Sequence, residues 1–342
     1  MRGAVVILNW NGKPFLERYL PLVLKYNSPG IEIIVADNAS TDGSVDFVKK
    51  SFPSVRIIQN PTNGGFAEGY NTALRQTDYE YYILLNSDVE VTPNWIAPVI
   101  DLLDKNPEVA AVQPKIKSYT NPSYFEYAGA AGGYIDKYGY PFCRGRIFDV
   151  IEKDEGQYNN ESEIFWATGA CLFVRASVFH AMAGFDEDLF SHQEEIDLCW
   201  RMKLSGYKVF YCSESEVLHY GGGMLPKSNS FKTYLNFRNN LVILCKNHPK
   251  KGLALKMFQR MVLDGIAALR FLVMGNIKDF IAIAKAHFHF YSTLSRTLEK
   301  RKKVQANVKT HNISCIYRRS IVRKYFIENK TVFSELDTSD FF

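Results

Sequence analysis

Four short apolar runs, each set off from the next by a helix-forming stretch, fill the first 115 residues and leave little choice of fold. The runs are Ala4–Leu8, Ile31–Ala36, Val55–Gln59 and Tyr81–Leu85; between them Pro14–Lys25, Ser44–Ser51 and Phe66–Gln76 have helical spacing. A strand exposed on one face alternates apolar and polar residues. These runs do not alternate, so both their faces are covered, which is the signature of a parallel sheet flanked by helices. The expectation is an α/β fold: a doubly wound, mostly parallel sheet with helices on both faces.

Beyond this block the signals thin out. Residues 116–165 are rich in Gly, Tyr and charge and read as loops with short strands. Strand signals return at Cys171–Val174 and Lys208–Cys212, with a helix at Glu194–Leu204 ended by Gly206. Gly221-Gly222-Gly223 reads as a flexible joint, and beyond Pro249 the chain is helical, then basic. The formal net charge of +5 is too mild to point to nucleic acid. Six cysteines, none in a C-x-x-C pair, read as buried free thiols of a reducing compartment. No signal peptide is apparent, and no run reaches the roughly 18 apolar residues a membrane span needs.

Ligands of open parallel sheets bind beyond the carboxyl ends of the strands. Here the four ends carry Asn9-Trp10-Asn11, Asp37-Asn38-Ala39-Ser40-Thr41-Asp42-Gly43, Asn60-Pro61-Thr62-Asn63-Gly64-Gly65 and Asn86-Ser87-Asp88. Turns also favour such residues, but four on one edge favour a binding crevice. Asp37 can accept from a ribose hydroxyl or a base N–H. Its competing use as a helix cap is better filled by Asp42 or Ser44. The small residues from Asn63 to Asn71 open a helix whose N–H groups suit an anion; an ordinary glycine-rich turn is the alternative. Asp88, where a buried strand meets the edge, suits a hard divalent cation with positions left for diphosphate oxygens; a turn Asp is the competing reading.

Together, Val5-Val6-Ile7-Leu8-Asn9-Trp10-Asn11-Gly12, Val35-Ala36-Asp37-Asn38-Ala39-Ser40-Thr41-Asp42-Gly43-Ser44, Asn63-Gly64-Gly65-Phe66-Ala67 and Leu84-Leu85-Asn86-Ser87-Asp88 resemble the ordered motifs of glycosyltransferase family 2. The variety is similar to bacterial rhamnosyltransferase-like enzymes of cell-surface polysaccharide assembly. The resemblance implies a GT-A fold, a nucleotide-diphosphate sugar donor (UDP or dTDP, dTDP-rhamnose among them), Mg²⁺ or Mn²⁺, and inversion at the anomeric carbon. It implies a catalytic domain over 1–245, with a nucleotide-binding half to about residue 115 and an acceptor half over 116–245, followed by a helical, basic extension over 246–342. It assigns Asn9, Asn11, Asp37, Asn38, Gly65, Asn71 and Asn86 to the nucleotide. Asn86 stands where the family has the first acid of its D-x-D motif, so the cation rests on Asp88.

The segment His192-Gln193-Glu194-Glu195-Ile196-Asp197 resembles the family's acidic motif. Inverting transfer needs a carboxylate to take the acceptor's proton. Glu194, Asp197 and Arg201 fall on one charged helical stripe, whereas Glu195 lies off it, so Glu195 is the expected base and Asp197 its supporting acid. The resemblance makes Trp166 and Gly169 acceptor-side residues, His219 a metal or diphosphate contact, and Arg238 a phosphate clamp. For Trp166, His219 and Arg238 the alternatives are core filling, a structural histidine and surface solvation.

The amphipathic stretch Leu253–Phe290 either packs on the catalytic domain or lies in the plane of a membrane. The Lys300-Arg301-Lys302-Lys303 and Arg318-Arg319 clusters would favour an anionic surface and a lipid-linked saccharide acceptor, on the cytoplasmic face of the plasma membrane. Two other functions remain on the page. A nucleotidyltransferase would need a basic glycine-rich loop where Asn9-Trp10-Asn11-Gly12-Lys13 stands. A catalytically weak or inactive nucleotide-sugar-binding module is suggested by Asn86 and opposed by Asp88, Glu195 and His219 together.

Overall fold

The computed structural model describes residues 1–221 and 230–341; Gly222 and Gly223 of the expected joint lie outside them. The chain begins β1 (Gly3–Asn9), α1 (Lys13–Lys25), β2 (Ile31–Asp37), α2 (Ser44–Ser51), β3 (Arg56–Gln59), α3 (Gly65–Leu74), β4 (Tyr81–Asn86), β5 (Val89–Val91), α4 (Ala97–Lys105) and β6 (Val109–Ser118). Short strands β7 (Gly133–Asp136), β8 (Pro141–Cys143), β9 (Arg146–Ile147), β10 (Val150–Ile151) and β11 (Ser162–Ile164) precede β12 (Cys171–Arg175), α5 (Ala176–Ala181), α6 (Glu194–Leu204) and β13 (Lys208–His219). The last part holds α7 (Ser230–Asn247), α8 (Leu253–Val273), α9 (Ile277–Ser292), α10 (Leu294–Ala306), β14 (Ile316–Tyr317) and α11 (Ile321–Phe326).

The main sheet runs β11-β13-β6-β12-β4-β1-β2-β3, with β5 paired to β13. Strands β4, β1, β2 and β3 are mutually parallel, as their unbroken apolar sequences predict. Alternate residues of each strand enter opposite layers. Val5, Ile7, Ile33 and Val35 pack against α1, α2 and α4 through Leu16, Leu20, Val48 and Val99. Ala4, Val6, Ile34 and Ala36 pack on the other side with Tyr70 of α3 and Trp200 of α6. Strand β12 enters antiparallel between β4 and β6, and α6 follows it across the site.

The stretch expected as loops with short strands instead builds a second sheet, β10-β9-β8-β7-β14. Its last strand comes from the tail: Ile316 and Tyr317 pair in parallel with Ile135 and Asp136. Phe333 and Phe341 then pack on Tyr134, tilted and edge-to-face, at ring-centroid distances of 5.0 and 5.4 Å. The tail thus closes over the second sheet, and α7 runs through the expected 245/246 boundary. Two of the basic clusters are partly used internally. Lys300 pairs with Asp186 and Asp188, Arg301 donates to the Cys245 carbonyl at 2.7 Å, and Arg319 pairs with Asp340 at 2.9 Å. All six cysteines are buried free thiols. Among the described residues no helix is long and apolar enough to cross a membrane.

Candidate active site

Register brings the predicted strand ends side by side: Asn9 opposite Asp37, and Leu8 opposite Asn86. Asn9 donates through Nδ2 to Asp37 Oδ2 at 2.9 Å, and the Ser40 N–H donates to Asp37 Oδ1 at 2.8 Å. Asn11, in a left-handed conformation (φ 49°), accepts from the Thr41 N–H at 2.8 Å. Asp42 receives the Ser44 N–H at 3.0 Å, as its place before α2 predicts. Asp37 is only 1% exposed, so its carboxylate knits two strand-end loops together. Gly12 belongs to the same cluster: a Cβ there would come within 2.5 Å of Asn9 Oδ1 and 3.4 Å of Ser87 Oγ, which ties this edge to the Asp88 turn.

Three expected features of the nucleotide side make their hydrogen bonds within the protein. The start of α3 does not offer its N–H groups to an anion, because Phe66 and Ala67 donate to the Phe190 carbonyl at 2.8 and 3.3 Å. Gly65 (φ 78°) is required there, since a Cβ would meet that carbonyl at 2.5 Å. Asn38 is spent on the Gly65 carbonyl (2.9 Å) and on Asn60 Nδ2 (2.7 Å). Asn71 is spent on Phe185, accepting from its N–H and donating to its carbonyl, both at 2.9 Å. Asn38 thus ties the end of β2 to the start of α3, and Asn71 ties α3 to the Phe185–Phe190 loop; both are buried.

Asp88 follows β4, and His219 ends β13, whose register places it opposite Val89. A register shift between Cys212 and Glu216 carries β13 past its expected end and delivers His219 to the site. His219 Nε2 lies 3.2 Å from Asp88 Oδ1, and Nδ1 lies 3.2 Å from Glu126 Oε2. The Nδ1 contact is poorly aligned, leaving that nitrogen without a hydrogen bond. Burial alone would lower the imidazole pKa, but Glu126 and Asp88 raise it to about 10. Burial alone would raise Glu126; His219, the Ala128 N–H and Arg146 hold it below the usual carboxylate range. Glu126 was missed in the sequence because it stands in the aperiodic 116–165 stretch.

Among the described residues no three acids, histidines or cysteines converge tightly enough to hold a metal ion by themselves. The Asp88 carboxylate and His219 imidazole nevertheless form a hard oxygen and nitrogen pair. Mg²⁺ and Mn²⁺ commonly take one or two protein ligands and complete their shell with phosphate oxygens and water. The pair fits such an ion, with loss of the imidazole proton on binding.

Glu195 stands in the first turn of α6 after a strained approach: Phe190, His192 and Gln193 have φ of 62°, 69° and 70°. Its side chain is partly exposed, unlike the buried Glu194 and Asp197 on either side. Burial pushes the Glu195 carboxyl up to about 7, opposed by backbone N–H groups that include Gly169. Burial and the neighbouring Glu195 charge raise Glu194 well above the usual range, and its Oε2 has no hydrogen-bond partner. Gly169 is packed under Phe66, whose ring a Cβ there would meet at 2.9 Å. The next residue, Ala170, accepts the Asn86 N–H at 3.0 Å, two residues before Asp88. Gln113 fixes the segment from below by accepting the Thr168 N–H at 3.0 Å.

Three further expected site residues are held by partners within the protein. Asp197 is fully buried, with Oδ2 on Arg201 at 2.8 Å and Oδ1 on Lys246 and Asn247, both at 2.8 Å. It holds α6 to α7 and has no free face for substrate. Trp166 donates to the Tyr134 carbonyl at 3.0 Å and lies so close over Gly133 that a Cβ there would be 2.1 Å from its ring, so it is core. Arg238 donates to the carbonyls of Asp188 and Leu189 at 3.0 and 2.9 Å, locking the turn before Phe190.

Residues 4–180 match Glycosyl transferase family 2. The N-acetylglucosaminyl-diphospho-decaprenol L-rhamnosyltransferase of Mycobacterium tuberculosis is 25% identical over 258 residues, covering 71% of this chain and 84% of that protein. The fold is similar to that of GalNAc-T7 with UDP, GalNAc and Mn²⁺ (TM-score 0.57, 17% identity, 71% of this chain and 47% of that one). It is also similar to the Pyrobaculum calidifontis mannosyltransferase PcManGT in complex with GDP-Man and Mn²⁺ (TM-score 0.53, 14% identity, 90% and 85%).

Proposed function

The chain belongs to glycosyl transferase family 2 and is a glycosyltransferase of the GT-A fold, and from that premise we propose that it transfers a sugar, with inversion, from a UDP- or dTDP-sugar to a hydroxyl of a lipid-linked saccharide. The acceptor oxygen attacks the anomeric carbon and forms the new glycosidic bond. The bond from that carbon to the diphosphate breaks, and its electron pair leaves with the nucleoside diphosphate. The acceptor's proton passes to the Glu195 carboxylate. Asp88 and His219 would hold Mg²⁺ or Mn²⁺, which neutralises charge on the departing diphosphate. Asn9, Asn11 and Asp37 shape the nucleotide end.

The observation that carries this reading is the Thr168–Ala170 segment. It bonds the Asn86–Asp88 turn through the Ala170 carbonyl, and the Gly169 N–H is one of the backbone groups that pull the Glu195 carboxyl down. A donor sugar lying over that segment would have the cation ligand on one side and the base on the other. The rhamnosyl-transferring, diphospho-decaprenol-modifying relative supports a dTDP-rhamnose-like donor and a lipid diphosphate acceptor.

The test is nucleotide-sugar turnover with Mn²⁺ across a donor panel, comparing the parent with Asp88→Ala and Glu195→Gln. Loss of turnover in both is expected. Unchanged turnover in both would remove this mechanism. Donor binding with no transfer in the parent, to any acceptor, would favour the binding-module reading.

A further inference from the structure

Helix α8 is built inside out. Its buried face carries Met257, Arg260, Asp264 and Ala268, spaced three and four residues apart. Arg260 Nε bonds Asp264 Oδ1 at 2.7 Å, and the guanidinium lies 3.7 Å over the Tyr140 ring. His287 of α9 reaches Asp264 Oδ2 at 3.2 Å. The opposite face of α8 shows Leu255, Phe258, Val262, Ile266, Leu269 and Val273 to the outside. Phe258 is 65% exposed, Ile266 59% and Val273 88%. A helix bathed in water is arranged the other way round. After the turn at Met274–Asn276, α9 continues the surface with Ile277, Ile281, Phe288 and Tyr291, of which Phe288 is 76% exposed. Monomeric proteins rarely show water so broad an apolar face.

The charges on this hairpin select its occupant. From Leu253 to Ser292, the span of the hairpin, every exposed charged residue among those described is a cation: Arg270, Lys278 and Lys285. Asp264 is buried in the inner network, and Asp279 is half-buried and accepts from Thr233 Oγ1 at 2.6 Å. Arg270 and Lys278 flank the apolar tip. A second copy of the chain would bring the same cations against them, whereas an anionic lipid surface complements both the apolar stripe and its rim. The buried Arg260–Asp264 pair keeps the inner face on protein, and no helix among the described residues is long and apolar enough to cross a membrane.

We propose that the outer face of the α8–α9 hairpin docks on an anionic bilayer, the apolar stripe sinking below the headgroups and Arg270 and Lys278 meeting lipid phosphates. The surface is thus assigned to this hairpin and not to the 300–303 or 318–319 clusters. The inference is independent of the role given to Glu195.

The experiment is flotation of the full chain with phosphatidylcholine vesicles, with and without about 30% phosphatidylglycerol, at low and high salt. The parent is expected to float with the anionic vesicles and to be released by salt. Val273→Asp with Ile277→Asp, both exposed, should keep the parent's thermal midpoint and weaken binding at least about tenfold. Arg270→Glu with Lys278→Glu should bind anionic vesicles no better than neutral ones. A parent that stays soluble beside anionic vesicles at low salt would overturn the proposal, as would apolar-tip variants that bind like the parent. A parent dimer that the tip variants turn into monomers, with no flotation of either, would hand the face to a second copy. Binding needs no turnover, so the catalytic reading and this one fail separately.

Discussion

Replacing Glu195 by Gln should slow the enzyme and stabilise the fold at the same time, and the second effect depends on pH in a calculable way. The carboxyl is raised from 4.5 to about 7, chiefly by burial. An acid whose pKa is higher in the folded chain releases its proton more readily when unfolded. Its charged form therefore costs stability, a cost absent below about pH 4.5 and complete above about pH 7. At about 1.36 kcal/mol per unit the limit is about 3 kcal/mol, and about 2 is a better figure for a side chain that keeps contact with water. With an unfolding entropy of about 2.1 cal/mol/K per residue, 2 kcal/mol corresponds to about 3 °C in this chain. Gln keeps the shape and one acceptor for the Gly169 N–H but never ionises.

The assay is thermal unfolding of parent and Glu195→Gln at pH 4.5 and pH 8.5, beside kcat/KM over the same range. The variant should melt with the parent at the lower pH and about 3 °C above it at the higher. Turnover should fall by about 10²–10⁴, the usual contribution of a general base. Parent kcat/KM should rise with pH to a plateau beyond about 7, and the residual activity of the variant should lose that limb. A melting difference that does not change with pH would refute the electrostatic argument. A rising limb that survives in the variant would take the proton-accepting role away from Glu195.

Asn239→Ala removes a side chain that donates to the carbonyls of Leu189, Ser191 and His192 at 3.0, 2.9 and 2.7 Å; kcat should drop more than KM rises, with about 1–3 kcal/mol lost in denaturant unfolding. Lys246→Met leaves the buried Asp186 and Asp197 without a shared cation and should cost about 3–5 kcal/mol at pH 7. Burial alone would raise both acids, but their basic partners hold them low, so the stability they supply is present above about pH 4 and fades as pH falls; the variant's acid-unfolding curve should be shallower. Asp136→Ala strips the acceptor from the N–H groups of Tyr138, Tyr140 and Ile321, at 2.8, 2.9 and 2.9 Å, and should expose the C-terminal segment to limited proteolysis before the main sheet opens.

What was legible follows from range. The parallel strands were readable because burial on both faces leaves a local mark, an unbroken apolar run, and each lies one helix from its neighbour. The second sheet left no such mark. Strands of two to four residues have no measurable period, and β14 closes the sheet from about 180 residues downstream. At the site, position was readable and commitment was not. Asn71 and Arg238 have the right chemistry at plausible places, but nothing local says that their donors are already taken by the carbonyls of Phe185, Asp188 and Leu189. Trp166 lost its surface role to Gly133, a residue more than thirty positions away. Glu126 had no periodic context at all, and only the long β13, bent at Cys212–Glu216, brings His219 beside it.

Helix α7 joins the two halves of the argument. On one side Asn239 and Arg238 hold the carbonyls of the left-handed loop from which Glu195 projects, and Gln193 answers by donating to the Asn236 carbonyl at 3.1 Å. On the other side Tyr234 lines, with Phe280, Ile281, Ala284 and Phe288 of α9, an apolar groove of about 590 Å³ that opens on the face assigned to lipid. Ile281 and Phe288 belong to both surfaces. A chain resting on a bilayer through α8 and α9 would therefore hold α7 at a fixed height above it. Because α7 also sets the loop before α6, the proposed lipid face and the Glu195 loop would be linked through one helix.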